Sequence, residues 1–301
     1  AASIHPDVWH VVAGRPYILR LMGAGISRPK VQIPGTDMAG VVESVGARAT
    51  RFRPGDAVFG DTTATHPWTN GGAFAEYVCV REDLLALKPE HVTFEQAASV
   101  PTSGLITLQN LRDLDRWPPG RRVLINGAGG GVGSLALQMM KAHGAHVTAV
   151  DSTAKLAMLR SFGADEVVDY TREDFTRRGV RYDLVFDVPG TRPFSEMKRA
   201  LEPDGRYLPI GHEGFGAAGR RVFGLVPKFL TLMALSRFVP QLRGPGLPMP
   251  SKQEAIAALR DYLDRRKVTP VIDSRYPLAE VREAFRHFMR DETLGKVILV
   301  P

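Results

Sequence analysis

Cysteine is nearly absent from this sequence, which has a single one, Cys79, among 301 residues. One cysteine excludes a disulfide within the chain and any zinc site built from several thiolates. It also fits a reducing compartment, because proteins of oxidising compartments more often carry paired cysteines. We therefore expect a cytoplasmic protein without a cysteine-rich metal site.

Long apolar runs and long basic runs are missing as well. The most apolar segment, 222–239, is interrupted by Lys228 and Arg237, so it does not have the pattern of a membrane-spanning helix. The net charge is +7, but the basic residues stand singly or in pairs such as 177–178, which favours a basic surface over a nucleic-acid site. We expect neither a membrane span nor a nucleic-acid partner.

The rest of the composition is ordinary for a folded protein, with 44% hydrophobic and 24% charged residues. At roughly 100–200 residues per domain, the length suggests two domains. Short β-branched runs separated by glycine and proline turns, as in 35–60 and 71–80, predict a small, mostly β unit at the start. Residues 251–268 have the pattern of an amphipathic helix, and 295–300 that of a terminal strand.

From residue 122 onward, short apolar strands alternate with helical patterns. Apolar residues from Val132 to Met140, for example, recur on one face of a helix. This alternation predicts a doubly wound α/β fold of the Rossmann type, a parallel sheet with helices on both faces. The predicted strands are 123–125, 147–150, 166–168, 184–187 and 206–210.

A glycine cluster, "VLINGAGGGVG", connects the first of these strands to a helix. Gly127 permits a tight turn, Gly130 and the glycine after it let the backbone approach a pyrophosphate, and Gly133 lets the helix pack closely. The strict GxGxxG spacing is not met, because Ala128 holds its first place, and a turn without a ligand is the alternative. We predict a dinucleotide site formed by Gly127, Ala128, Gly129, Gly130, Gly131, Val132 and Gly133.

The end of the second strand carries two conflicting signals about the cofactor. Asp151 follows Gly133 by 18 residues, where an acidic residue binds the adenosine ribose of NAD. Ser152 and Lys155 come directly after it, and a hydroxyl and an ammonium group are what a 2′-phosphate binds. A Lys155 that pairs with Asp151 would leave both cofactors usable, so we predict dual use of NAD(H) and NADP(H).

Several stretches resemble the medium-chain dehydrogenase/reductase superfamily, in order: "PGTDMAGVVESVG", "FRPGDAVFG", "GGAFAEYV", "NGAGGGVG", "FGADEVVDY" and "GKVILV". The likeness is greatest to its zinc-free, quinone oxidoreductase-like branch. It implies a GroES-like, mostly β catalytic domain in 1–94, a Rossmann domain in 95–250, and a return to the first domain in 251–301. It also implies that about 35 residues of the family, including strands of the first domain, precede Ala1.

The stretch "GHEGFG" at 211–216 contains the tripeptide that carries a zinc ligand in the zinc branch of this family. The resemblance places the family's three zinc ligands elsewhere, at His5, in 35–37 and in 100–102, where this chain has no cysteine and no second histidine. One histidine cannot form a three-ligand catalytic site. We therefore predict a zinc-free protein in which His212 lies in a loop that faces the cofactor.

The resemblance also suggests the catalytic residues. His5 stands where quinone reductases have an asparagine, Tyr17 stands where they have a tyrosine, and Thr102 is a candidate nicotinamide contact. A loop histidine satisfied by the backbone and a packing tyrosine are the alternatives for the first two. Further cofactor contacts are expected at the ends of the later strands, at Tyr170, Asp187, Val188, Ile210, Gly211 and His212.

These features predict a zinc-independent NAD(P)H-dependent oxidoreductase that transfers hydride to a quinone, an enone or a related small carbonyl compound. Quinones and enones accept hydride without a metal, since their conjugation stabilises the developing charge. Alcohol oxidation and a non-catalytic dinucleotide-binding module are the alternatives. The apolar residues of the segment 212–250 and a strand expected near 235–242, which pairs with its mate in the resembling family, predict a homodimer; ordinary packing within the chain is the alternative.

Overall fold

The computed structural model describes residues 1–29, 31–63, 69–211, 222–244, 246–290 and 293–301. These residues form two compact units. The first is made mainly of Ala1–Ile106 and Pro250–Pro301, and the second of the described residues from 107 to 211 together with Phe223–Met249. No helix in these described ranges is long and apolar enough to cross a membrane.

The described residues contain eleven strands and nine α-helices. The strands are β1 (Ala2–Ser3), β2 (Asp37–Val41), β3 (Ala57–Asp61), β4 (Leu85–Leu87), β5 (Arg122–Asn126), β6 (His146–Asp151), β7 (Glu166–Asp169), β8 (Tyr182–Asp187), β9 (Leu201–Pro209), β10 (Ile272–Pro277) and β11 (Lys296–Val300). The α-helices are α1 (Pro6–Ala13), α2 (Phe94–Ala98), α3 (Pro101–Asn110), α4 (Gly131–Ala142), α5 (Leu156–Ser161), α6 (Phe194–Met197), α7 (Val226–Leu235), α8 (Lys252–Asp264) and α9 (Val281–Phe288).

The first unit is built on a six-stranded sheet with the order β10-β11-β1-β2-β3-β4. All neighbours are antiparallel except β10 and β11. The C-terminal return is tied to this sheet by Lys252, whose Nζ donates to Asp61 Oδ2 at 2.7 Å and to Thr63 Oγ1 at 2.9 Å. Burial raises the pKa of Asp61, although Lys252 opposes that shift. A capping box between Ser251 and Glu254 begins α8 one residue after the predicted start.

The second unit is built on a parallel five-stranded sheet with the order β7-β6-β5-β8-β9. All five predicted strands lie in or overlap these strands, and the predicted fold class is confirmed. The order reverses between β5 and β8, so the carboxyl ends of these two strands form the crevice where such sheets bind ligands. The core is filled by apolar side chains from the sheet and its helices, including Leu124, Val150, Val185, Met197 and Tyr207.

The strand that was predicted near 235–242 is wrong. The structure has α7 up to Leu235 and a single 3₁₀ turn at Pro240–Leu242. Proline lacks the N–H that a strand ladder needs. Arg243 instead donates to the carbonyl oxygens of Ser236 and Arg237 just after the helix, which favours a helical end over an extended strand.

Candidate functional site

The glycine cluster forms a tight turn from β5 into α4. The N–H groups of Gly127 and Ala128 both donate to the carbonyl oxygen of Val150, at 3.0 and 3.1 Å. Gly127 has a φ of 76°, which favours glycine. A Cβ on Gly133 would lie 2.2 Å from the carbonyl oxygen of Gly127, so only glycine lets the helix begin this close to the turn.

The first turn of α4 fits a pyrophosphate. Gly130 is the N-cap residue, and in the part of the chain that the structure describes no side chain caps this end of the helix. The N–H groups of a helix's first turn have no partner within the helix, and together with the helix dipole they attract an anion. Among the described residues, a Cβ on Gly130 would meet the carbonyl oxygen of Gly127 at 3.7 Å, an ordinary contact distance, so these residues leave room for a phosphate oxygen to approach.

Asp151 is held by hydrogen bonds and is not a free carboxylate. Its side chain is buried at the end of β6, with 5% of the residue exposed. Oδ2 accepts a hydrogen bond from the Gly129 N–H at 2.7 Å, and Oδ1 accepts one from the Ser152 N–H at 2.8 Å. Lys155 Nζ lies 3.6 Å from Oδ1, so the expected pairing of this lysine with Asp151 is present. The carboxylate therefore links the glycine turn to the end of β6.

Asp187 holds the ends of three strands together. Its fully buried carboxylate accepts hydrogen bonds from Asn126 Nδ2 at 2.8 Å, Tyr207 Oη at 2.7 Å and the Gly190 N–H at 3.2 Å. Burial, together with the negative charge of Asp187, raises the pKa of Tyr207. With all these donors on its side chain, Asp187 shapes the loop after β8, and a cofactor contact would be made by its backbone.

The backbone around Asp187 continues this connection. The Val188 N–H donates to the carbonyl oxygen of Asn126 at 3.0 Å, and the Gly211 N–H donates to that of Val188 at 3.1 Å. The Ile210 N–H donates to the carbonyl oxygen of Asp187 at 2.9 Å. The loops after β8 and β9, where cofactor contacts were predicted, are thus held side by side at the crevice.

Two of the predicted cofactor contacts are placed less definitely. The Tyr170 side chain is half exposed after β7, and its N–H donates to the carbonyl oxygen of Asp151 at 3.2 Å. The role of Tyr170 as a cofactor contact stays a prediction. His212 lies outside the described residues, so its predicted place in a cofactor-facing loop stays a prediction.

In the first unit, His5 is buried and begins α1 as its N-cap residue. Its Nδ1 accepts a hydrogen bond from the Asp7 N–H at 3.3 Å, so the proton of the neutral ring is on Nε2. Burial, and next the charge of Lys296, lower the pKa of His5 well below its ordinary value of 6.5, while Asp37 opposes this shift. The ring is therefore neutral at neutral pH.

Thr102 belongs to a buried polar network centred on Asp37. Asp37 Oδ1 accepts from the Thr102 N–H at 2.8 Å and from its hydroxyl, and Oδ2 accepts from Ser3 Oγ at 2.9 Å. Lys296 Nζ lies 3.3 Å from Oδ2, and burial lowers the pKa of this lysine. The Thr102 hydroxyl also lies 3.2 Å from that of Thr36. Asp37 thus fixes the start of α3, and it holds residues near 102 in the first unit.

Asp37 and Lys296 were not among the predicted site residues. Both lie in stretches that carried the family resemblance, "PGTDMAG" and "GKVILV". A charged residue inside an otherwise apolar strand was the available signal, because such a residue is rarely buried without a partner. The sequence could not identify the partner, since 259 positions separate the two.

Tyr17 has a more open position than the other two catalytic candidates. Its side chain is 42% exposed, and the Arg20 guanidinium lies 5.0 Å from its ring centre. Trp9, by contrast, is buried and donates from Nε1 to the Met289 sulfur at 3.0 Å. Within the described residues, no group of three or more histidine, cysteine or acidic side chains is arranged to hold a metal ion.

Comparison with known proteins gives the family. Residues 1–90 match the alcohol dehydrogenase GroES-like domain, and residues 162–299 match the family described as zinc-binding dehydrogenase. The chloroplast envelope quinone oxidoreductase homolog of Arabidopsis thaliana is 31% identical over 312 residues, which cover 100% of this chain and 88% of that protein. The chain belongs to the medium-chain dehydrogenase/reductase superfamily.

Other members of the superfamily extend this finding. The chloroplastic NADPH-dependent alkenal/one oxidoreductase of Arabidopsis thaliana is 32% identical over 279 residues, 91% of this chain and 65% of that protein. The solved structure of the quinone oxidoreductase from Coxiella burnetii has a TM-score of 0.78 and 26% identity, over 100% of this chain and 88% of that one. This medium-chain dehydrogenase/reductase therefore shares its fold with the solved quinone oxidoreductase.

Proposed function

We propose that this chain is an NAD(P)H-dependent oxidoreductase that transfers hydride, without zinc, to a quinone, an enone or a related carbonyl compound. The observation that carries the proposal is the uncapped first turn of α4 behind a glycine turn, at the point where the strand order reverses. Two relatives support the substrate class, since one is named a quinone oxidoreductase homolog and the other an alkenal/one oxidoreductase.

When bound, a reduced nicotinamide would supply the hydride, and the residues of the chain would bind and orient it. The N–H groups from Gly131 to Gly133 would bind the pyrophosphate, and Asp151 with Lys155 would meet the adenosine ribose. The loops that contain Val188 and Gly211 would meet the nicotinamide half. No metal has to stabilise the developing charge on the substrate oxygen, because a conjugated acceptor spreads that charge over its own bonds.

Among the three catalytic candidates, Tyr17 is the one whose side chain is open to a ligand. We propose its hydroxyl as the hydrogen-bond donor to the substrate oxygen. His5 and Thr102 are buried and have hydrogen-bond partners inside the unit, which favours a structural role for both. His5 begins α1, and Thr102 joins α3 to Asp37. A Tyr17→Phe variant is expected to lose activity while it keeps its affinity for cofactor.

The test is direct. NADH or NADPH is mixed with a panel of ortho-quinones and enones, and cofactor oxidation is followed by absorbance with and without a chelator. Turnover that persists in chelator, with no zinc by elemental analysis, would support the proposal. A stoichiometric zinc ion whose removal abolishes turnover would sink it.

A non-catalytic dinucleotide-binding module is the second candidate. The burial of His5 and Thr102 favours it, because buried groups with internal partners do not by themselves make a reaction site. Calorimetry separates the two proposals. Tight binding of NADPH with no turnover on any quinone, enone or alcohol would favour the module, and turnover on alcohols alone would indicate an alcohol dehydrogenase.

The choice of cofactor stays part of the proposal, as dual use of NADH and NADPH. The Asp151–Lys155 pair supports it, since a neutralised carboxylate repels a 2′-phosphate less than a free one does. A relative named NADPH-dependent is consistent with this view. Kinetics with both cofactors on one quinone would test it, and a preference above about a hundred-fold, or ~2.7 kcal/mol, would contradict it.

We also propose that the protein is a homodimer and that it acts in the cytoplasm. We propose catalytic segments in 1–94 and 251–301 and a cofactor-binding segment in 95–250. Support for the dimer comes from exposed apolar side chains on and around α7: Phe223, Leu230, Met233, Leu235 and Phe238. Light scattering should give about twice the chain mass of 33.0 kDa, and Phe238→Asp should lower it. A monomer at micromolar concentration would contradict this assembly.

A further inference from the structure

Helix α7 packs directly on the loops that follow β8 and β9. A Cβ on Gly211 would lie 2.5 Å from Phe229 Cζ and 3.2 Å from Leu225 Cδ1. A Cβ on Gly190 would lie 3.7 Å from the same Leu225 atom. Leu225 and Leu232 are buried, so one face of α7 packs against the rest of the second unit. Both loops thus have this helix as a neighbour.

One polar side chain on that face reaches the loop after β8. Lys228 Nζ donates to the carbonyl oxygen of Arg192 at 2.6 Å and to that of Gly190. The N–H of Gly190 donates in turn to the Asp187 carboxylate at 3.2 Å. Gly190 is therefore held from both sides, by Asp187 at its N–H and by Lys228 at its carbonyl group.

Gly190 is also where the two loops touch. It has a φ of 67°, and a Cβ there would lie 2.9 Å from the Gly211 Cα. A loop with so little space cannot shift at one residue without moving its neighbour. The position of the Gly190 carbonyl group therefore influences the backbone that follows β9 as well as the backbone that follows β8.

The topology shows which half of a dinucleotide these loops would meet. In such sheets the pyrophosphate lies at the turn after the first strand, and the adenosine ribose lies at the end of the second strand, here β6. The other half of the molecule must then extend toward the opposite side of the crevice. That side is formed by the ends of β8 and β9.

We propose that Lys228 is a positioning residue for the nicotinamide half of the cofactor site. It acts through the loop 187–192 by holding two carbonyl groups, and the inference rests on the function proposed above. A cation is suited to this role, because hydrogen bonds from charged donors are stronger than those from neutral ones. Lys228 is half-buried and donates to the carbonyl oxygens of Gly190 and Arg192, so its loss is expected to loosen this loop.

The experiment compares two ligands on the full chain. NADPH uses the whole site, whereas adenosine 2′,5′-bisphosphate uses the adenosine half alone. Dissociation constants for both are measured by calorimetry for the wild type, Lys228→Met, Lys228→Arg and the control Lys198→Met. Lys198 is an exposed lysine of the same unit, so its variant matches the change in net charge.

We expect Lys228→Met to weaken NADPH binding about ten-fold or more and to leave the bisphosphate within about two-fold, because the lost hydrogen bonds have charged donors. Lys228→Arg should recover part of the NADPH affinity, and Lys198→Met should bind both ligands as the wild type does. In the unliganded Lys228→Met variant, backbone hydrogen exchange should be faster than in the wild type in 188–192 and unchanged in β5.

Three results would overturn the inference. An unchanged NADPH affinity in Lys228→Met would show that the loop does not need the lysine. An equal loss for both ligands would show general damage to the unit. A wild-type protein that does not bind NADPH, whether or not it binds the bisphosphate, would overturn the proposed function and this inference with it.

Discussion

Each unit of this protein contains a buried aspartate that pairs with a buried lysine, but the two pairs differ in reach. Asp37 in the first unit lies 3.3 Å from Lys296, which is 259 positions away. Asp151 in the second unit lies 3.6 Å from Lys155, four positions later. The first pair connects β2 to β11 and α3, whereas the second pair and its hydrogen bonds remain near the turn after β5.

This difference separates stability from ligand binding. The Asp37 network joins segments that are distant in sequence in the interior of the first unit, so its loss should lower the stability of the whole unit. Asp151 stabilises a short turn at a crevice, where a ligand can take over part of its hydrogen bonding. We expect the first network to govern folding and the second to govern the choice of ligand, and the four predictions below test that division.

The largest effect is expected from Asp37→Asn. The change removes the carboxylate that pairs with buried Lys296, and breaking a buried pair on one side costs about 3–5 kcal/mol of unfolding free energy. Urea denaturation followed by fluorescence measures it. The double variant Asp37→Asn with Lys296→Met should recover part of the loss, because both charges of the pair are then removed together.

A control for this variant is Asp83→Asn, which removes the carboxylate of an exposed ion pair with Arg81 at 2.6 Å. Exposed pairs contribute little, so the stability should be close to that of the wild type. Equal stability losses in Asp37→Asn and Asp83→Asn would contradict the structural role of the Asp37 network.

The second prediction compares two glycines in one turn. Gly133→Ala places a Cβ 2.2 Å from the Gly127 carbonyl oxygen and 2.6 Å from the Ala128 Cα, and such overpacking should cost about 2–3 kcal/mol. Gly130→Ala meets no such contact, so its stability should stay near that of the wild type while NADPH affinity falls, because the methyl group occupies the space left for a phosphate.

Thermal unfolding and NADPH titration of both glycine variants measure these effects. The comparison fails if Gly130→Ala binds NADPH as tightly as the wild type does. In that case the open space at this residue would not be the phosphate site.

The two aspartates also show how far sequence alone can reach. The glycine turn, Asp151 and Lys155 were predictable, because they follow one another within a strand–turn–helix unit whose geometry depends on local residues. The Asp37 network was not, since its members come from β1, β2, α3 and β11, and only the folded chain brings them together. The strand expected near 235–242 failed for a related reason: its apolar residues suit a helix face as well as a strand.

The third prediction concerns acid stability in the first unit. The pKa of His5 is lowered well below 6.5 by burial and Lys296. Below about pH 6.5 the unfolded chain therefore binds a proton that the folded chain does not, so stability is lost as the pH falls. His10 contributes in the same direction, since burial lowers its pKa too.

The variant His5→Asn keeps a side chain that can begin α1 and removes this titration. Between about pH 7.5 and about pH 5.5 the wild type should lose more stability than the variant, because only the wild type carries this titrating group. Urea denaturation at both pH values gives the difference. Parallel losses in the two proteins would mean that His5 is protonated in the folded state.

The smallest expected effect is the change of cofactor preference at the end of β6. Asp151→Ser removes a negative charge beside the place that we propose for the 2′-phosphate, so the ratio of kcat/KM for NADPH over NADH should rise about ten-fold, or ~1.4 kcal/mol. Asp151→Asn keeps the shape and one acceptor oxygen for the Gly129 N–H, and it should shift the ratio in the same direction, because the charge is the cause. Lys155→Met should shift it toward NADH, since the ammonium group that pairs with Asp151 is lost.

Steady-state kinetics on one quinone with both cofactors measures all three variants. A ratio that stays at the wild-type value in both Asp151 variants would mean that this carboxylate serves the turn alone, and the two aspartates would then differ in reach but not in role.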